Sequence, residues 1–90
     1  SLIMLFIQGE VRKVIDFKSK KGNSLYKLKV ELERYDLEVF VLPTLYQNIE
    51  EIKNCVGSKM NLPVFLNTDI SEDKTKVYRN FVLFEMPTKA

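Results

Sequence analysis

Lysine side chains are concentrated in one short, turn-forming segment near the start of the sequence. Lys18, Lys20 and Lys21 precede Gly22 and Asn23, two residues that readily adopt the positive φ of a tight reversal between strands. A reversal that carries several amines at its tip can bind the phosphates of a polyanion through charge-assisted hydrogen bonds. The chemistry that this segment suggests is therefore phosphate binding.

The charge of the chain is unevenly distributed, although its net value is only +2. Residues 1–30 contain seven Lys and Arg against two acidic residues, whereas residues 31–60 contain three against six. Positive charge collected on one segment is what a directional anion-binding surface requires. For a single lysine a solvated surface charge is the plainer interpretation, and for the cluster both interpretations stay open.

The composition argues against catalysis. The chain has no His, which removes His-based triads, His general bases and His metal ligands. The acidic residues at 31–38 and 69–73 lack the spacing of a calcium loop, and the three glycines stand too far apart to cradle a phosphate. We therefore expect no enzyme activity, no cofactor, no metal site and no small-molecule substrate.

Ninety residues, 46% of them hydrophobic and 29% charged, predict one domain (1–90) with a single modest core. The lone Cys55 cannot form an internal disulfide, and no apolar run approaches the roughly 20 residues needed to cross a bilayer. Residues 2–7 are apolar but lack a basic leader and a cleavage site, so we expect no signal peptide. These features predict a cytoplasmic protein without membrane contact.

Alternation of apolar and polar residues predicts five strands, over residues 5–17, 25–32, 37–42, 60–67 and 76–86. Gly9 interrupts the first strand where a strongly bent strand needs a residue without Cβ, and the adjacent Val14 and Ile15 indicate a bulge or phase shift before Phe17. In the fourth strand, Pro63 predicts an edge or a bulge because it cannot donate to a ladder.

The second and third strands are each predicted to have one core face and one outer face. Leu28 and Val30 point inward, so Lys27 and Lys29 point outward. By the same alternation, Phe40 of the third strand shares the outer face with these lysines. A large aromatic side chain on an otherwise polar face is a candidate for ligand contact.

Residues 44–57 change to helical spacing. Thr44 and Gln47 have the spacing of a capping box, and Gly57 is a natural stop. An apolar stripe at i, i+4, i+7 and i+11 consists of Leu45, Ile49, Ile52 and Val56. We expect this helix to cover the open end of a barrel, with Cys55 as a small buried hydrophobic residue.

The resulting order, β-β-β-α-β-β, describes an all-β domain with one short helix, and it is the element order of the five-stranded Greek-key barrel called the OB-fold. The run from Gly9 to Val30, with its basic turn, resembles the first hairpin of OB-fold nucleic-acid binders. These include small phage- and plasmid-type single-stranded DNA-binding proteins and the OB modules of replicative polymerases and aminoacyl-tRNA synthetases. In element order the resemblance covers nearly the whole chain.

In proteins of that kind, nucleic acid crosses the outer face of strands two and three between two loops, with bases stacked on aromatic rings and amines along the backbone. Phe65, on the fourth strand, is expected to lie away from this groove, in a subunit contact. For Phe40 and Tyr78, stacking on a base and packing within the protein are both open interpretations. Tyr26 alternates in step with the inward residues of its strand and is therefore expected to point toward the core. The resemblance implies a nucleic-acid-binding set of Arg12, Lys18, Lys20, Lys21, Tyr26, Lys27, Lys29, Phe40, Lys74, Lys76, Tyr78 and Arg79.

The favoured function is non-catalytic binding of single-stranded DNA by a homodimer, in the manner of a phage or plasmid accessory protein of DNA replication. One alternative is a protein–protein interaction module on the same barrel, and another is an RNA- or tRNA-binding domain. Glu31, Glu33 and Glu38 share the proposed face and would weaken phosphate binding. Pairing of the lysines with these carboxylates would favour the interaction module.

Overall fold

The structure is a computed structural model that describes residues 3–90. Six strands form one sheet: β1 (Met4–Lys18), β2 (Ser24–Glu31), β3 (Asp36–Val41), β4 (Lys59–Ile70), β5 (Val77–Leu83) and β6 (Thr88–Lys89). Between β3 and β4, a 3₁₀ helix (Pro43–Asn48) continues into helix α1 (Ile49–Lys53). Neither helix in this part of the chain has the length and apolar character needed to span a membrane.

Strands β1 to β5 form a closed, barrel-like ring. Their order is β1-β2-β3-β5-β4, and β4 pairs again with β1. Neighbouring strands of the ring are antiparallel except β3 and β5, which are parallel. The predicted domain, mostly β with one short α-helix and five strands in a closed arrangement, is confirmed.

Strand β1 closes the ring because it pairs with two strands in succession. Residues 4–10 pair with β4 and residues 10–18 pair with β2, so Glu10 has a partner in each. At this changeover, a Cβ on Gly9 would lie 2.7 Å from Cγ1 of Val30 and 2.8 Å from the backbone oxygen of Glu31. Glycine is therefore needed for the close approach of the two strands, as the sequence predicted.

The register of β1 shifts before Phe17, as predicted, but not at the residues that suggested the shift. The irregularity against β2 lies between Val11 and Lys13, whereas Val14 and Ile15 pair with β2 in regular register. Val14 packs against the core, whereas Ile15, the next residue of a regular strand, points to the other side of the sheet. Two adjacent apolar residues occur there because both sides of the sheet carry apolar neighbours.

The core fills the inside of the ring. The predicted inward faces of β2 and β3 are confirmed, since alternate residues of these strands are buried. The buried hydrophobic side chains of residues 3–90 are Val11, Leu28, Val30, Val39, Val41, Ile52, Met60, Leu62, Val64 and Leu83. Their removal from water is the main stabilising contribution to such a small domain.

The predicted capping box is wrong. The helical segment begins at Pro43, with Leu42 as its N-cap residue and no side-chain cap hydrogen bond. The fixed φ of proline suits the first helical position, where no N–H is required. The turn therefore begins two residues too early for Thr44 to act as the cap.

The apolar stripe of the helical segment is confirmed in part. Ile52 is fully buried, and Leu45 and Ile49 pack against the core. Val56 is 43% exposed because α1 already ends at Lys53. The chain then turns through Gly57, whose φ of +90° is the left-handed conformation that glycine favours.

Cys55 is half-buried beside the core, and this burial raises the pKa of its thiol. The thiolate is the nucleophilic form of cysteine, so a raised pKa lowers the reactive fraction at neutral pH. Cys55 is therefore a packing residue, as expected from its position in the sequence.

The second half of the chain has one longer strand, one shorter strand and a further strand compared with the prediction. Strand β5 covers Val77–Leu83, whereas residues 76–86 were predicted. Strand β4 extends to Ile70, so the loop predicted over residues 68–75 is reduced to a hairpin turn at residues 71–76. The two-residue strand β6 pairs with Met60 and Asn61 of β4. Two residues are too few to show the alternation by which a strand is found in a sequence.

Pro63 lies within β4 at a gap in its pairing. On one side of β4, β6 pairs as far as Asn61 and β5 begins to pair at Val64. The carbonyl of Pro63 points to this side, where it accepts a hydrogen bond from the backbone N–H of Phe84 (3.2 Å). Proline has no N–H to donate, and at this position neither β5 nor β6 pairs with β4, so no hydrogen bond of the ladder is lost.

Replacing Gly9 by Ala is expected to destabilise the fold by about 1–3 kcal/mol, because the added methyl group meets a buried side chain and a backbone oxygen that cannot both move aside. The free energy of unfolding, measured by chemical denaturation, tests this. Thr68→Ala, at an exposed position of β4, is the control and should cost less than about 0.5 kcal/mol. Equal stability of Gly9→Ala and the unsubstituted protein would contradict the role assigned to Gly9.

Candidate functional site

The side of the ring that faces away from the core carries a continuous row of cross-strand neighbours. Lys27 of β2 pairs with Phe40 of β3, Phe40 pairs with Val82 of β5, and Val82 pairs with Phe65 of β4. Paired residues in neighbouring strands project to the same side of a sheet. We call the side defined by this row the outer face.

An open groove of about 430 Å³ lies on the outer face. Most of its lining is aromatic or aliphatic, with three polar side chains from β4 and β5. A largely apolar lining with a few convergent polar groups is typical of sites that bind organic ligands. The groove is lined by Leu25, Tyr26, Phe40, Val41, Leu42, Pro43, Tyr46, Phe65, Asn67, Asp69, Asn80 and Val82.

Phe40 is held in the groove wall by an aromatic neighbour and an amine. Its ring meets the ring of Phe17 edge-on, with 5.9 Å between centroids. Nζ of Lys27 lies 5.2 Å from the Phe17 centroid and 5.9 Å from the Phe40 centroid, within the range of a cation–π contact. The same amine lies 3.2 Å from Oε1 of Glu38, so its charge is already balanced.

Two tyrosines form one end of the groove. The rings of Tyr26 and Tyr46 are T-shaped with centroids 5.0 Å apart, and the Tyr46 hydroxyl accepts a hydrogen bond from the backbone N–H of Tyr26 (3.3 Å). The sequence placed Tyr26 in core phase, and it does pack against the core while its ring lines the groove. Tyr46 was not predicted, because it lies on the 3₁₀ helix, outside the apolar stripe that marked this segment.

Phe65 also lines the groove, so the expectation that it lies away from it is wrong. Its partner in β5, Val82, is also the partner of Phe40 in β3. The two phenylalanines therefore lie on either side of Val82, about 10 Å apart at the backbone if adjacent strands are spaced normally. The ring of Phe84, 6.1 Å from that of Phe65, packs beside it.

The hairpin turns between β1 and β2 and between β4 and β5 approach each other at one end of the outer face. A cavity of about 570 Å³ between them is lined by Lys20 from the first turn and by Lys76 and Tyr78 from the second hairpin, together with two acidic residues, Glu72 and Asp73. The fold thus brings together predicted site residues that are more than fifty positions apart in the sequence.

The amines of the two turns are available for an anionic ligand. Within residues 3–90, the lysines of the turns form no salt bridge, and Lys18 donates a hydrogen bond to the hydroxyl of Ser24. No carboxylate in this part of the chain is therefore in direct ionic contact with these amines, although Glu72 and Asp73 line the same cavity as Lys20 and Lys76. The members of this group are Lys18, Lys20, Lys21, Lys74 and Lys76.

The β4–β5 turn is ordered by one carboxylate. Oδ1 of Asp73 accepts hydrogen bonds from Oγ of Ser71 (2.6 Å), Oγ1 of Thr75 (2.7 Å) and the backbone N–H of Thr75 (3.1 Å). Of these, the bond from Ser71 contributes most to lowering the pKa of Asp73, which falls to about 2. This network holds Lys74, whose φ is +60°, in a defined conformation at the tip of the turn.

The centre of the outer face is nearly neutral. Besides the pair between Lys27 and Glu38, Nζ of Lys29 lies 3.5 Å from Oδ2 of Asp36. Both pairs join diagonal neighbours of β2 and β3. The two central lysines of the predicted site are therefore paired with carboxylates, which is the arrangement that favours a protein-interaction module.

Two arginines of the predicted set are not part of the groove. Arg12, at the bulge of β1, lies 2.6 Å from Glu10 and 3.5 Å from Glu31, and its hydrogen bond to Glu10, with the nearby charge of Glu31, raises its pKa. Arg79 is adjacent to Tyr78 in β5 and so points to the opposite side of the sheet. Only Tyr78 of this pair faces the site.

The comparisons with known proteins give no further assignment. The chain matches no protein-family model, no curated protein and no solved structure. Within residues 3–90, no three Cys, Asp or Glu side chains converge into a group that could hold a metal ion. The groove and the two turns beside it are therefore assigned on geometry alone.

The Asp73 network predicts a pH dependence of the β4–β5 turn. Because the folded-state pKa of about 2 lies below the ordinary 3.8, the stabilisation is present above about pH 3.8 and is lost as the pH falls through about 2. A carboxyl carbon NMR titration should give a midpoint near 2 for Asp73. In Ser71→Ala, which removes the strongest hydrogen bond, the midpoint should rise, and a midpoint near 3.8 in the unsubstituted protein would refute the network.

Proposed function

We propose that this protein binds single-stranded nucleic acid, and DNA in particular, along its outer face without catalysing a reaction. The proposal takes the closed ring to be a Greek-key barrel of the OB type. The strand order β1-β2-β3-β5-β4, with the helical segment between β3 and β4, supports this. In OB-folds, the face of strands two and three and the β1–β2 and β4–β5 loops are the elements that bind oligonucleotides.

The observation that carries the proposal is that an aromatic groove lies beside two hairpin turns whose lysines, within residues 3–90, form no salt bridge. A single-stranded nucleic acid can expose the π-faces of its bases. In a duplex these faces are covered by stacking, and an extended peptide has no bases. Bases stacked on Phe40 or Phe65 would each contribute about 1–3 kcal/mol. The phosphates would then lie toward the turns, where Lys20 and Lys76 line the shared cavity.

The distribution of charge limits the electrostatic part of binding. Since Lys27 and Lys29 are paired with carboxylates, the phosphates are attracted mainly by the turns. If about three phosphates are neutralised there, the logarithm of the binding constant should fall against the logarithm of salt concentration with a slope of about −2. Stacking in the groove would supply most of the remaining affinity.

Binding of fluorescent oligo-dT, followed by anisotropy over a range of salt concentrations, tests the proposal. The double substitution Lys20→Glu and Lys21→Glu should weaken binding at least tenfold, by about 1.4 kcal/mol or more, and make the salt slope shallower. Phe40→Ala should weaken binding by a similar factor and leave the slope unchanged, because it removes stacking and no charge.

A charge-matched control is available at the far end of the molecule. Arg34 lies in the turn between β2 and β3 and Lys89 lies in β6, and both are exposed. Arg34→Glu combined with Lys89→Glu changes the net charge by the same amount and should alter the affinity much less. The proposal fails if oligo-dT does not bind at low salt, or if the two double variants weaken binding equally.

The pairing of Lys27 with Glu38 and of Lys29 with Asp36 favours a second candidate, a protein-interaction module. In that case the groove would take an apolar side chain of a partner protein, with Phe40 and Phe65 as its walls. The oligo-dT titration separates the two candidates. Competition between single-stranded RNA and DNA of the same sequence separates the RNA-binding alternative.

The start of β1 supports a further proposal, that the protein is a homodimer. Residues 4–9 of β1 pair with β4 but not with β2, so in the described part of the chain one edge of this segment has no strand partner. Ile3, Met4 and Leu5 are exposed there, and Phe6 is 80% exposed. Antiparallel pairing of two such uncharged edges would bury these side chains without opposing like charges.

Light scattering after size-exclusion chromatography tests the dimer. Phe6→Lys should raise the dimer dissociation constant at least tenfold, because it places two amines at an apolar contact. Val56→Lys, an equivalent change at another exposed aliphatic position, should leave the mass unchanged. A monomeric mass for the unsubstituted protein at high concentration would exclude this dimer.

A further inference from the structure

The polar part of the groove consists of three side chains from β4 and β5. Asn67 and Asn80 are direct cross-strand partners, and Asp69 is the next residue of β4 on the same side. Each of the two amides is half-buried. One residue of β4 separates Asn67 from Phe65, and one residue of β5 separates Asn80 from Val82. A planar ring stacked on Phe65 would therefore bring its edge over these groups.

The hydrogen bond between two of these side chains fixes their polarity. The Asn67 amide and Oδ2 of Asp69 are 3.3 Å apart, and a carboxylate can only accept, so the NH₂ group of Asn67 faces Asp69. The remaining atom of the amide, Oδ1 of Asn67, is a hydrogen-bond acceptor. The other oxygen of Asp69 is an acceptor as well, so this side of the groove presents mainly acceptors to a ligand.

Asn80 completes the set and can adapt to the ligand. Its amide makes no side-chain hydrogen bond to another group of residues 3–90. An amide can turn either its donor or its acceptor toward a bound group. Asn80 can therefore pair with the ring nitrogen or carbonyl that lies next to a donor on the ligand.

From this arrangement, and resting on the proposed function, we infer that the groove selects a nucleobase with an exocyclic amino group over thymine or uracil. The amino group of cytosine or adenine donates to Asn67 and Asp69, and guanine offers its own amino group. Thymine has the O4 acceptor where cytosine has N4–H₂. A thymine in the same position would place its O4 acceptor against the acceptors of Asn67 and Asp69 and leave the half-buried Asn67 without a partner, which is unfavourable.

Asp69 also favours one orientation of the strand in the groove. A carboxylate repels phosphate, so the backbone would lie away from β4 and toward the lysines of the β1–β2 turn. A base amino group, in contrast, gains a charge-assisted hydrogen bond from the same carboxylate. The acidic residue thus acts on base choice while the amines hold the backbone.

Competition between short oligo-dT and the same oligonucleotide with one central dC or dA tests the inference. The unsubstituted protein should prefer the amino-bearing oligonucleotide about tenfold, the low end of the discrimination given by a good base-edge contact. In Asp69→Asn the preference should fall to about one, because the new amide can donate to thymine O4.

Glu85→Gln is the matched control, since it removes one exposed carboxylate outside the groove. Glu85→Gln should keep the tenfold preference, with the same small increase in affinity for both oligonucleotides. Equal binding of the two oligonucleotides, or an unchanged preference in Asp69→Asn, would overturn the inference and leave the proposed function standing. Failure of every oligonucleotide to bind would overturn both.

Discussion

The whole structure depends on one strand pairing with two neighbours in succession. Glu10 has a partner in β2 and another in β4, and the residue before it is a glycine in contact with Val30 and the backbone of Glu31. A side chain at Gly9 would separate β1 from β2 where the ring closes. Without this closure, β4 and β5 would not be placed beside β3, and the outer face would have no groove.

The closed ring also explains why charge and aromatic surface are separated. Register places Lys27 and Lys29 against carboxylates of β3, so the middle of the outer face carries little net charge. The hairpin turns extend beyond these pairs, and their lysines have no such partners in residues 3–90. A ligand would meet apolar rings in the middle of the face and positive charge at one end.

Much of the fold follows from local sequence signals. Strict alternation identified the inward residues of β2 and β3, such as Leu28 and Val39, and the basic reversal at Gly22 was placed correctly. Contacts between strands that are far apart in the sequence could not be predicted from local patterns. Phe65 enters the groove because β5 lies between β3 and β4, a consequence of ring closure that no local pattern contains.

The candidate site was predictable to a similar degree. The alternation of residues in β2 and β3 correctly predicted that Lys27 and Phe40 lie on one face of the sheet. Their ionic and aromatic partners depend on how neighbouring strands are aligned with each other, and the sequence alone does not determine that alignment. Asn67 and Asn80 gave no signal, since single amides in strands carry no pattern. Arg79 was included because it lies just after the second predicted loop, although alternation puts it on the opposite side of the strand from Tyr78.

The groove is open to solvent along the outer face, and the two hairpins border it without joining over it. The single-stranded ligand that we propose would therefore be able to enter sideways, with no free terminus to be threaded. Covalently circular molecules and internal gaps in a long duplex would be as accessible to such a surface as loose ends. Several copies could also occupy neighbouring stretches of one chain and leave again in any order.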